Sequence, residues 1–383
     1  SGTRSGTSSW TFPEMNVLRP TTATLKEVLG QDSAVGLLRK ILAAGRIPHA
    51  YLFHGPAGVG KWTTVLAFAR ALLCREPGAA EQGDACGSCR SCRQIGHASH
   101  PDFYRIGLYP KKEFPKAPKP KEEVPPKAID FDPEGQEILT QLRIPQIRWL
   151  NTQASHPPAE GSRRVFVIDP ADRLNTQAQN AILKTLEEPE SRSIIILVTS
   201  RPHVLLPTIR SRCIAVGLRP VDPLLLAERL QAKGYAAEEA EVRSALSGGR
   251  PVAAETLDLP AMKAKRAGFL ADLDALARSP AALADLPDMT RRIVGEGEPE
   301  LLEGLDMLQG LLRDVARCSS GLSREGLLHT DVVSELEELA GRFSPGRAAA
   351  LVTLIDRLRQ DLRFNINKNL LAETVLAELT RTA

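Results

Sequence analysis

The sequence predicts an α/β domain built on a parallel β-sheet, followed by an all-helical C-terminal half. Helix-like and strand-like patterns alternate from residue 21 to about residue 216, as they do where crossover helices join parallel strands. Strand signals stop near residue 217, and amphipathic helical patterns continue from there. Only 4% of the 383 residues are aromatic, which disfavours an all-β sandwich and favours Leu- and Ala-rich helices.

The composition indicates a soluble globular protein with roughly two or three domains. Hydrophobic residues make up 43% of the chain and charged residues 25%, and the net charge is only +3. Any nucleic-acid contact must therefore come from local patches. No apolar run reaches the roughly 18 residues of a membrane span. Residues 1–20 are expected to form a flexible extension without a secretory signal, with Met15 a candidate natural start, and the protein is expected in the cytoplasm.

The first elements are a helix near Leu25 to Ala44, the short strand Tyr51–Phe53, a Gly-rich turn and a second helix through Leu73. The turn, Gly55–Lys61, has the spacing of a Walker A phosphate loop and lies between a strand and a helix. Such a loop turns backbone N–H groups toward phosphate oxygens, and its lysine supplies a point charge. The sequence therefore predicts a nucleotide pocket, whose loop residues are Gly55, Gly58, Gly60 and Lys61.

The eighth position of this motif departs from the pattern. Walker A loops place Ser or Thr there, because the hydroxyl is a ligand of Mg²⁺, and this chain has Trp62. An indole offers no oxygen ligand. Thr63 follows, but it lies about 100° around the helix axis and is a poor substitute. Nucleotide binding remains compatible with the loop, whereas Mg²⁺-dependent hydrolysis is expected to be defective.

Four cysteines lie within nineteen residues, three of them in two overlapping Cys-x-x-Cys pairs. They are Cys74, Cys86, Cys89 and Cys92. This spacing lets thiolates converge tetrahedrally on Zn²⁺, and four sulfur ligands leave no open position for a reactive water. The alternatives are a redox pair, unpaired surface thiols, or replacement of one cysteine by His97 or His100. The favoured interpretation is a structural Zn²⁺ site.

Residues 107–135 interrupt the α/β pattern. Between Pro110 and Lys127 there are six Pro and six Lys, with few apolar side chains. Such a segment buries too little surface to offset its ordering entropy, so we expect a flexible insertion. A basic arm for DNA is the alternative interpretation, although interspersed glutamates dilute its positive charge.

A second acidic motif follows the insertion. The apolar run Val165–Ile168 predicts a buried strand that ends at Asp169, the Walker B position from which a carboxylate coordinates Mg²⁺. ATPases with this Walker B arrangement often place a Glu directly after the aspartate. This chain has Pro170 there, and proline has no acid–base group. Asp172 could take the role of that Glu, but it lies three residues away and should point elsewhere.

An amphipathic helix and a second buried strand complete the α/β part. The helix carries Ala178, Ala181, Ile182, Thr185 and Leu186 on one face and stops at Pro189. The strand is Ile194–Val198. Beyond it, residues 222–258 resemble a small helical unit and residues 259–383 a set of amphipathic helices. Apolar faces as regular as those around Leu351–Leu362 and Leu370–Leu379 are typical of a core or a subunit interface.

In this order, the motifs resemble those of the clamp-loader subunits of bacterial DNA polymerase III, an AAA+ family that includes the delta-prime and gamma/tau types. The specific phrases are Arg46–Phe53 before the loop, Asn180–Pro189, and Ser211–Cys213, together with the cysteine cluster and the strand-end aspartate. The similarity is good over about residues 22–255 and weaker around residues 365–379.

The resemblance implies an AAA+ module at 21–216, a helical lid at 217–258 and a collar domain at 259–383. It also implies that Arg212 reaches across a subunit interface to the ATP of a neighbour, the alternative being an ordinary surface or salt-bridged arginine. Thr199 matches a sensor position facing the γ-phosphate, although a Thr at a strand end is often only a cap. Arg250 matches the lid sensor.

The departures at Trp62 and Pro170 favour the delta-prime type over the ATPase motor of gamma/tau type. The resemblance then implies a largely non-hydrolysing stator within a hetero-oligomer, without ATPase activity of its own. Its implied partners are the gamma/tau and delta subunits, the sliding clamp and primed DNA. An active motor and a pure scaffold without nucleotide are the competing hypotheses.

Overall fold

The computed structural model describes residues 24–97, 99–108, 141–188, 192–295, 298–324, 326–361 and 367–380. The chain forms two compact units. The N-terminal unit extends to Asp222 and includes Arg250–Ala253, and the C-terminal unit contains Pro223–Gly249 and the chain from Ala254 onward. The expected extension at 1–20 and most of the expected insertion at 107–135 lie outside the described residues.

A five-stranded parallel sheet forms the centre of the N-terminal unit. Its strands are β1 (Ala50–His54), β2 (Phe103–Ile106), β3 (Arg164–Ile168), β4 (Ser193–Thr199) and β5 (Ile214–Gly217). Their order across the sheet is β2-β3-β4-β1-β5, and each neighbouring pair is parallel. The carboxyl ends of β1, β3 and β4 consequently lie along one edge. The phosphate loop, Asp169 and Thr199 are found at these strand ends.

Helices cover both faces of this sheet. They are α1 (Asp32–Ala43), α2 (Lys61–Leu73), α3 (Arg90–Gly96), α4 (Ile144–Ala154), α5 (Thr176–Glu187) and α6 (Pro207–Arg210). Because successive strand side chains point to opposite faces, Phe53 and Val167 join a core with α1 and α2, and Phe166 and Leu197 join a second core with α4 and α5. Helices on both faces explain why β1, β3 and β4 are largely apolar and buried.

The predicted strands β1, β3 and β4 are confirmed, each with one or two additional residues. The single helix expected from Leu25 to Ala44 is wrong: a 3₁₀ turn at Leu25–Glu27 precedes a helix that begins only at Asp32. Gly30 separates the two with φ +63°, and a Cβ there would lie 2.9 Å from Val221 Cγ1. A continuous helix cannot pass through that position.

The C-terminal unit is helical in every described regular element. Its helices are α7 (Pro223–Ala232), α8 (Ala237–Ser247), α10 (Leu259–Arg278), α11 (Leu286–Val294), α12 (Glu298–Ser319), α13 (Val333–Ala340), α14 (Pro345–Asp361) and α15 (Lys368–Thr380), while α9 (Pro251–Thr256) starts in the N-terminal unit. One apolar cluster joins α10 to α15 and contains Leu351, Ile355, Leu371 and Leu379 of the predicted faces. Leu370 is 58% exposed and does not belong to that core.

Among the described residues, none of the helices combines the length and the apolar character needed to cross a bilayer. The sheet topology and the helical C-terminal unit together confirm the predicted fold class, a parallel α/β sheet domain followed by helices.

An ion pair between a buried arginine and a partly exposed aspartate in the C-terminal unit leads to a test of how stability depends on pH. Arg266 is 2% exposed and donates two hydrogen bonds of 2.7 Å to Asp331, which also lies 3.2 Å from Lys263. Burial raises the pKa of Asp331, but Arg266 and Lys263 outweigh it and lower that pKa to about 2. A carboxylate with a depressed pKa stabilises the fold above its unfolded pKa of about 3.9 and loses that contribution as pH falls toward 2.

We expect Asp331→Asn to lower the free energy of unfolding at pH 7 by about 2 kcal/mol. The difference from the wild type should shrink steadily below about pH 4, where the carboxylate of the unfolded wild-type chain begins to protonate while that of the folded chain stays ionised down to about pH 2. Urea titrations at several pH values measure it. Asp288→Asn removes an exposed pair with Arg291 and is the matched control, with a change below about 0.5 kcal/mol. A difference that did not vary with pH would contradict the assignment.

Candidate functional site

A strand, a loop and a helix form the first part of the site. Strand β1 ends at His54, and α2 begins at Lys61 after Gly60, which has φ +95°. Gly55 has φ +154°, and a Cβ there would lie 2.4 Å from the Leu218 carbonyl oxygen. The loop therefore depends on glycine for its backbone angles and for its close approach to the chain after β5.

The loop lysine is folded onto its own loop. Lys61 is 6% exposed, and its Nζ donates to the carbonyl oxygens of Gly55 at 3.0 Å and Pro56 at 2.7 Å. A third bond of 2.8 Å reaches Ser200 Oγ, directly after β4. An ammonium group has three donors, so these three oxygens can satisfy it without a ligand. The phosphate loop is thereby tied to the end of a neighbouring strand.

Trp62 lies in the first turn of α2 with its ring against β2. Its ring centroid is 6.4 Å from that of Phe103 and 4.4 Å from Arg105 Cζ. Thr63 is half-buried in the same turn, and Thr64 Oγ1 donates to the Gly60 carbonyl at 2.9 Å. The expected Mg²⁺ hydroxyl position is thus occupied by an aromatic ring that packs on an arginine.

Asp169, directly after β3, faces the same arginine. Its Oδ2 accepts a hydrogen bond of 2.9 Å from Arg105 Nη2, and both side chains are mostly buried, at 17% and 24% exposure. Magnesium requires oxygen ligands in a nearly octahedral shell. Trp62 supplies none, and Asp169 is paired with a guanidinium. The residues present at this position therefore do not fit a Mg²⁺ ion.

Asp172 and Thr199 belong to a hydrogen-bonded cluster at the end of β4. Asp172 Oδ1 accepts from Thr199 Oγ1 at 2.9 Å, and Oδ2 accepts from Arg201 Nε and Nη2 at 2.9 and 2.7 Å. Thr199 is 1% exposed, and it also accepts from the Arg201 backbone N–H. The hydroxyl that reaches Lys61 is that of Ser200. Asp172 is bound to Arg201 and Thr199, which disfavours it as a water-activating base.

Arg250 lies next to the phosphate loop. A Cβ on Gly58 would come 3.5 Å from Arg250 Cβ, and the Val252 N–H donates to the Gly58 carbonyl at 3.4 Å. The start of α9 thus packs on the loop. Of the nucleotide-site residues named from the sequence, the loop, Asp169, Thr199 and Arg250 all lie at or beside this edge of the sheet.

Arg212 lies between α6 and β5 in a different setting. Its Nη2 is 2.8 Å from Glu187 Oε1, and its Nη1 donates to the Thr208 carbonyl at 2.9 Å. The side chain is 35% exposed and that of Glu187 is 48% exposed. The two contacts hold the guanidinium at the surface, at the end of α5.

The four cysteines meet in one cluster. Their sulfurs all lie within 4.8 Å of one another, with Cys74–Cys89 at 4.0 Å and Cys86–Cys92 at 3.9 Å. Cys74 directly follows α2, Cys89 directly precedes α3 and Cys92 lies within α3. A tetrahedron with Zn–S bonds of about 2.3 Å has S···S edges of about 3.8 Å. The four thiols therefore fit a tetrahedral metal ion.

The electrostatics of the cluster favour thiolate at one position. Burial opposes ionisation of Cys86, but hydrogen bonds from the Cys89 and Ser88 backbones and from neighbouring thiols lower its pKa to about 6. Burial raises the pKa of Cys92 instead. His100 is turned away from metal binding through Nδ1, which accepts from the Asp102 N–H at 3.0 Å. In the described part of the chain, the four cysteines are thus the group that could hold a metal ion.

The sequence did not single out Arg105 or Ser200. Arg105 belongs to a four-residue strand with one buried side chain at each end, a pattern too short to predict. Ser200 follows β4 directly, and its place after a buried strand at the edge that holds the loop was the available signal.

Comparisons with known proteins agree with this geometry. A family model described as the DNA polymerase III delta subunit matches residues 30–222, and one for the C-terminal part of that subunit matches residues 262–381. The DNA polymerase III subunit delta-prime of Pseudomonas aeruginosa is 28% identical over 86% of this chain and 91% of its own. That of Bacillus subtilis is 26% identical over 91% and 96%.

The gamma/tau subunit of Mycobacterium tuberculosis is 31% identical, but over only 62% of this chain and 36% of its own. Similarity to the delta-prime subunits thus extends through both units, whereas this gamma/tau match covers a smaller share. The chain therefore belongs to the DNA polymerase III delta subunit family, as one of its delta-prime members.

Proposed function

We propose that this chain is a largely non-hydrolysing stator of the clamp loader, which supplies Arg212 in trans to the ATP of a neighbouring subunit. The observation that carries the proposal is the contrast between two sites in one unit. The chain's own pocket pairs Asp169 with Arg105 and places Trp62 at the hydroxyl position, while Arg212 is held at the surface.

The contacts of Arg212 suit an arginine that changes partners. Its ion pair with the half-exposed Glu187 contributes on the order of 0–1 kcal/mol, so a stronger acceptor can displace it. A γ-phosphate is such an acceptor, since guanidinium–phosphate hydrogen bonds are charge-assisted and can be bidentate. There the guanidinium would stabilise charge that develops as the phosphoryl group is transferred.

The names of the relatives suggest the proposed subunit partners, and the family resemblance suggests the sliding clamp and DNA. We propose that this chain assembles with gamma/tau and delta subunits and that the assembly places the sliding clamp on primed DNA. We also propose that residues 21–216 form the AAA+ domain, 217–258 the helical lid and 259–383 the collar through which the subunits associate. The buried sheet, helices α7 and α8, and the apolar cluster of α10–α15 support these three assignments.

We propose Zn²⁺ as the ion of the cysteine cluster. Thiolates in a tetrahedral set are the ligands that Zn²⁺ takes in structural sites, and four of them leave no coordination position open. When bound, the ion would join the end of α2 to α3 and supply folding energy rather than chemistry.

Steady-state ATPase assays of the purified chain, alone and mixed with motor and delta subunits, test the proposal. We expect no turnover above background from the chain alone and robust turnover from the complex. Ordinary turnover by the chain alone, abolished by Lys61→Ala, would instead establish an active motor of gamma/tau type. Calorimetric titration with nucleotide separates both from a scaffold, which would give no binding heat.

A further inference from the structure

Three residues from three elements meet beside the phosphate loop. Trp62 comes from the first turn of α2, Arg105 from β2 and Asp169 from the end of β3. The guanidinium carbon lies 4.4 Å from the indole centroid, and the same guanidinium donates to the carboxylate at 2.9 Å. One arginine therefore bridges an aromatic face and an acidic group.

Two of these positions have a defined role in P-loop nucleotidases. The residue after the loop lysine provides a hydroxyl to Mg²⁺, and the strand-end aspartate provides a carboxylate to the same ion. In this chain both positions contact Arg105. The cation found between the two motif positions is thus part of the protein.

We propose that Arg105 is the built-in cation of this pocket, a guanidinium that neutralises Asp169 in the place of Mg²⁺ and keeps divalent metal from binding there. This proposal concerns the chain's own pocket and does not depend on the role of Arg212. Any nucleotide that enters the pocket would then bind without metal.

The physical chemistry of arginine supports a lasting replacement of Mg²⁺ by the guanidinium group. Guanidinium stays protonated, has donors only and cannot become a metal ligand. Its charge opposes the approach of a dication to the carboxylate, and the opposition is strong because both side chains are mostly buried and poorly screened. The indole face holds the guanidinium by a cation–π contact, which a Ser or Thr at this position could not provide.

Metal-dependent nucleotide binding tests the proposal in the intact chain. ATP affinity would be measured by calorimetry with Mn²⁺ and with EDTA at matched ionic strength, and bound Mn²⁺ would be followed by electron paramagnetic resonance. We expect the wild type to bind ATP equally, within about twofold, under both conditions and to show no signal of bound Mn²⁺. A wild-type affinity raised about tenfold or more by Mn²⁺ would overturn the proposal.

Four variants separate the arginine from the tryptophan. Trp62→Thr restores the hydroxyl but keeps Arg105, so it should gain no metal dependence. Arg105→Gln removes the guanidinium charge but keeps a polar side chain, and it should gain bound Mn²⁺. Trp62→Thr/Arg105→Gln should gain the most, about tenfold in ATP affinity with Mn²⁺. Arg201→Gln removes the nearby pair with Asp172 and is the control, for which we expect no gain.

Circular dichroism verifies that each variant is folded. If the double variant does not fold, the Mn²⁺ signal of Arg105→Gln alone decides the question, because that variant changes a single side chain and keeps Trp62 in place. Metal exclusion that persists in folded variants lacking Arg105 would overturn the proposal. Metal dependence in Trp62→Thr alone would overturn it as well, since the indole would then be the excluding group.

Discussion

Replacing Arg212 by alanine should lower ATP turnover at the neighbouring subunit's site by on the order of 10³-fold, the scale on which an arginine finger acts. The other sites of the complex would keep their own catalytic groups, so total turnover should fall by the share of the affected site. Single-turnover measurements isolate the turnover of the affected site if the other motor sites of the complex are inactivated. If Arg212 has the proposed role, the effect should appear in kcat, because the guanidinium would act on charge that develops during phosphoryl transfer.

Two variants define the contribution of geometry. Arg212→Lys keeps the charge but loses the planar, bidentate donor set, so we expect intermediate turnover. Glu187→Gln removes the surface partner and leaves Arg212 intact. Because that pair is half-exposed, its loss should change turnover by no more than about threefold. Unchanged turnover in a fully assembled Arg212→Ala complex, verified by gel filtration, would refute the assignment.

The second large effect concerns the cysteine cluster. We expect the purified chain to carry one equivalent of zinc and Cys89→Ser to carry almost none, measured by inductively coupled plasma mass spectrometry. Structural zinc supplies about 10 kcal/mol or more of apparent folding energy in small zinc modules, so its loss should unfold the segment from Cys74 to α3. Increased proteolysis within residues 75–97, with the sheet retained by circular dichroism, is the expected readout.

Cys213→Ser is the matched control. Cys213 lies outside the cluster, and burial raises its pKa to about 12, which keeps its thiol protonated and unsuited to bind a metal. We expect the zinc content of this variant to equal that of the wild type. Retention of a full equivalent by Cys89→Ser would show that this thiol is not a ligand, and the four-sulfur assignment would be wrong.

The sequence predicted the parts of the fold that are recorded in local patterns. Strands β3 and β4 are continuous apolar runs because both of their faces are covered, and the phosphate loop requires glycines at fixed spacing. The clustering of Cys86, Cys89 and Cys92 likewise followed from spacing, since a Cys-x-x-Cys turn brings its own thiols together, and Cys74 was assigned to them as the fourth thiol nearby in the sequence.

The features that the sequence did not predict depend on strand order. Arg105 meets Trp62 and Asp169 only because β2 lies beside β3 at the edge of the sheet, and Ser200 meets Lys61 only because β4 lies beside β1. The local sequence of these strands does not specify which strands lie next to one another in the sheet. The departures at Trp62 and Pro170 could be recognised from the Walker motifs. The contact of Arg105 with Trp62 could not be recognised in that way.

Helix α2 has a phosphate loop at one end and the cysteine cluster at the other. Its 13 residues span about 20 Å, and most of their side chains are buried. Helices usually fray at their ends, yet here Lys61 is tied to the loop and to Ser200, while Cys74 belongs to the cluster. The two ends of α2 are therefore each held by contacts within the chain itself.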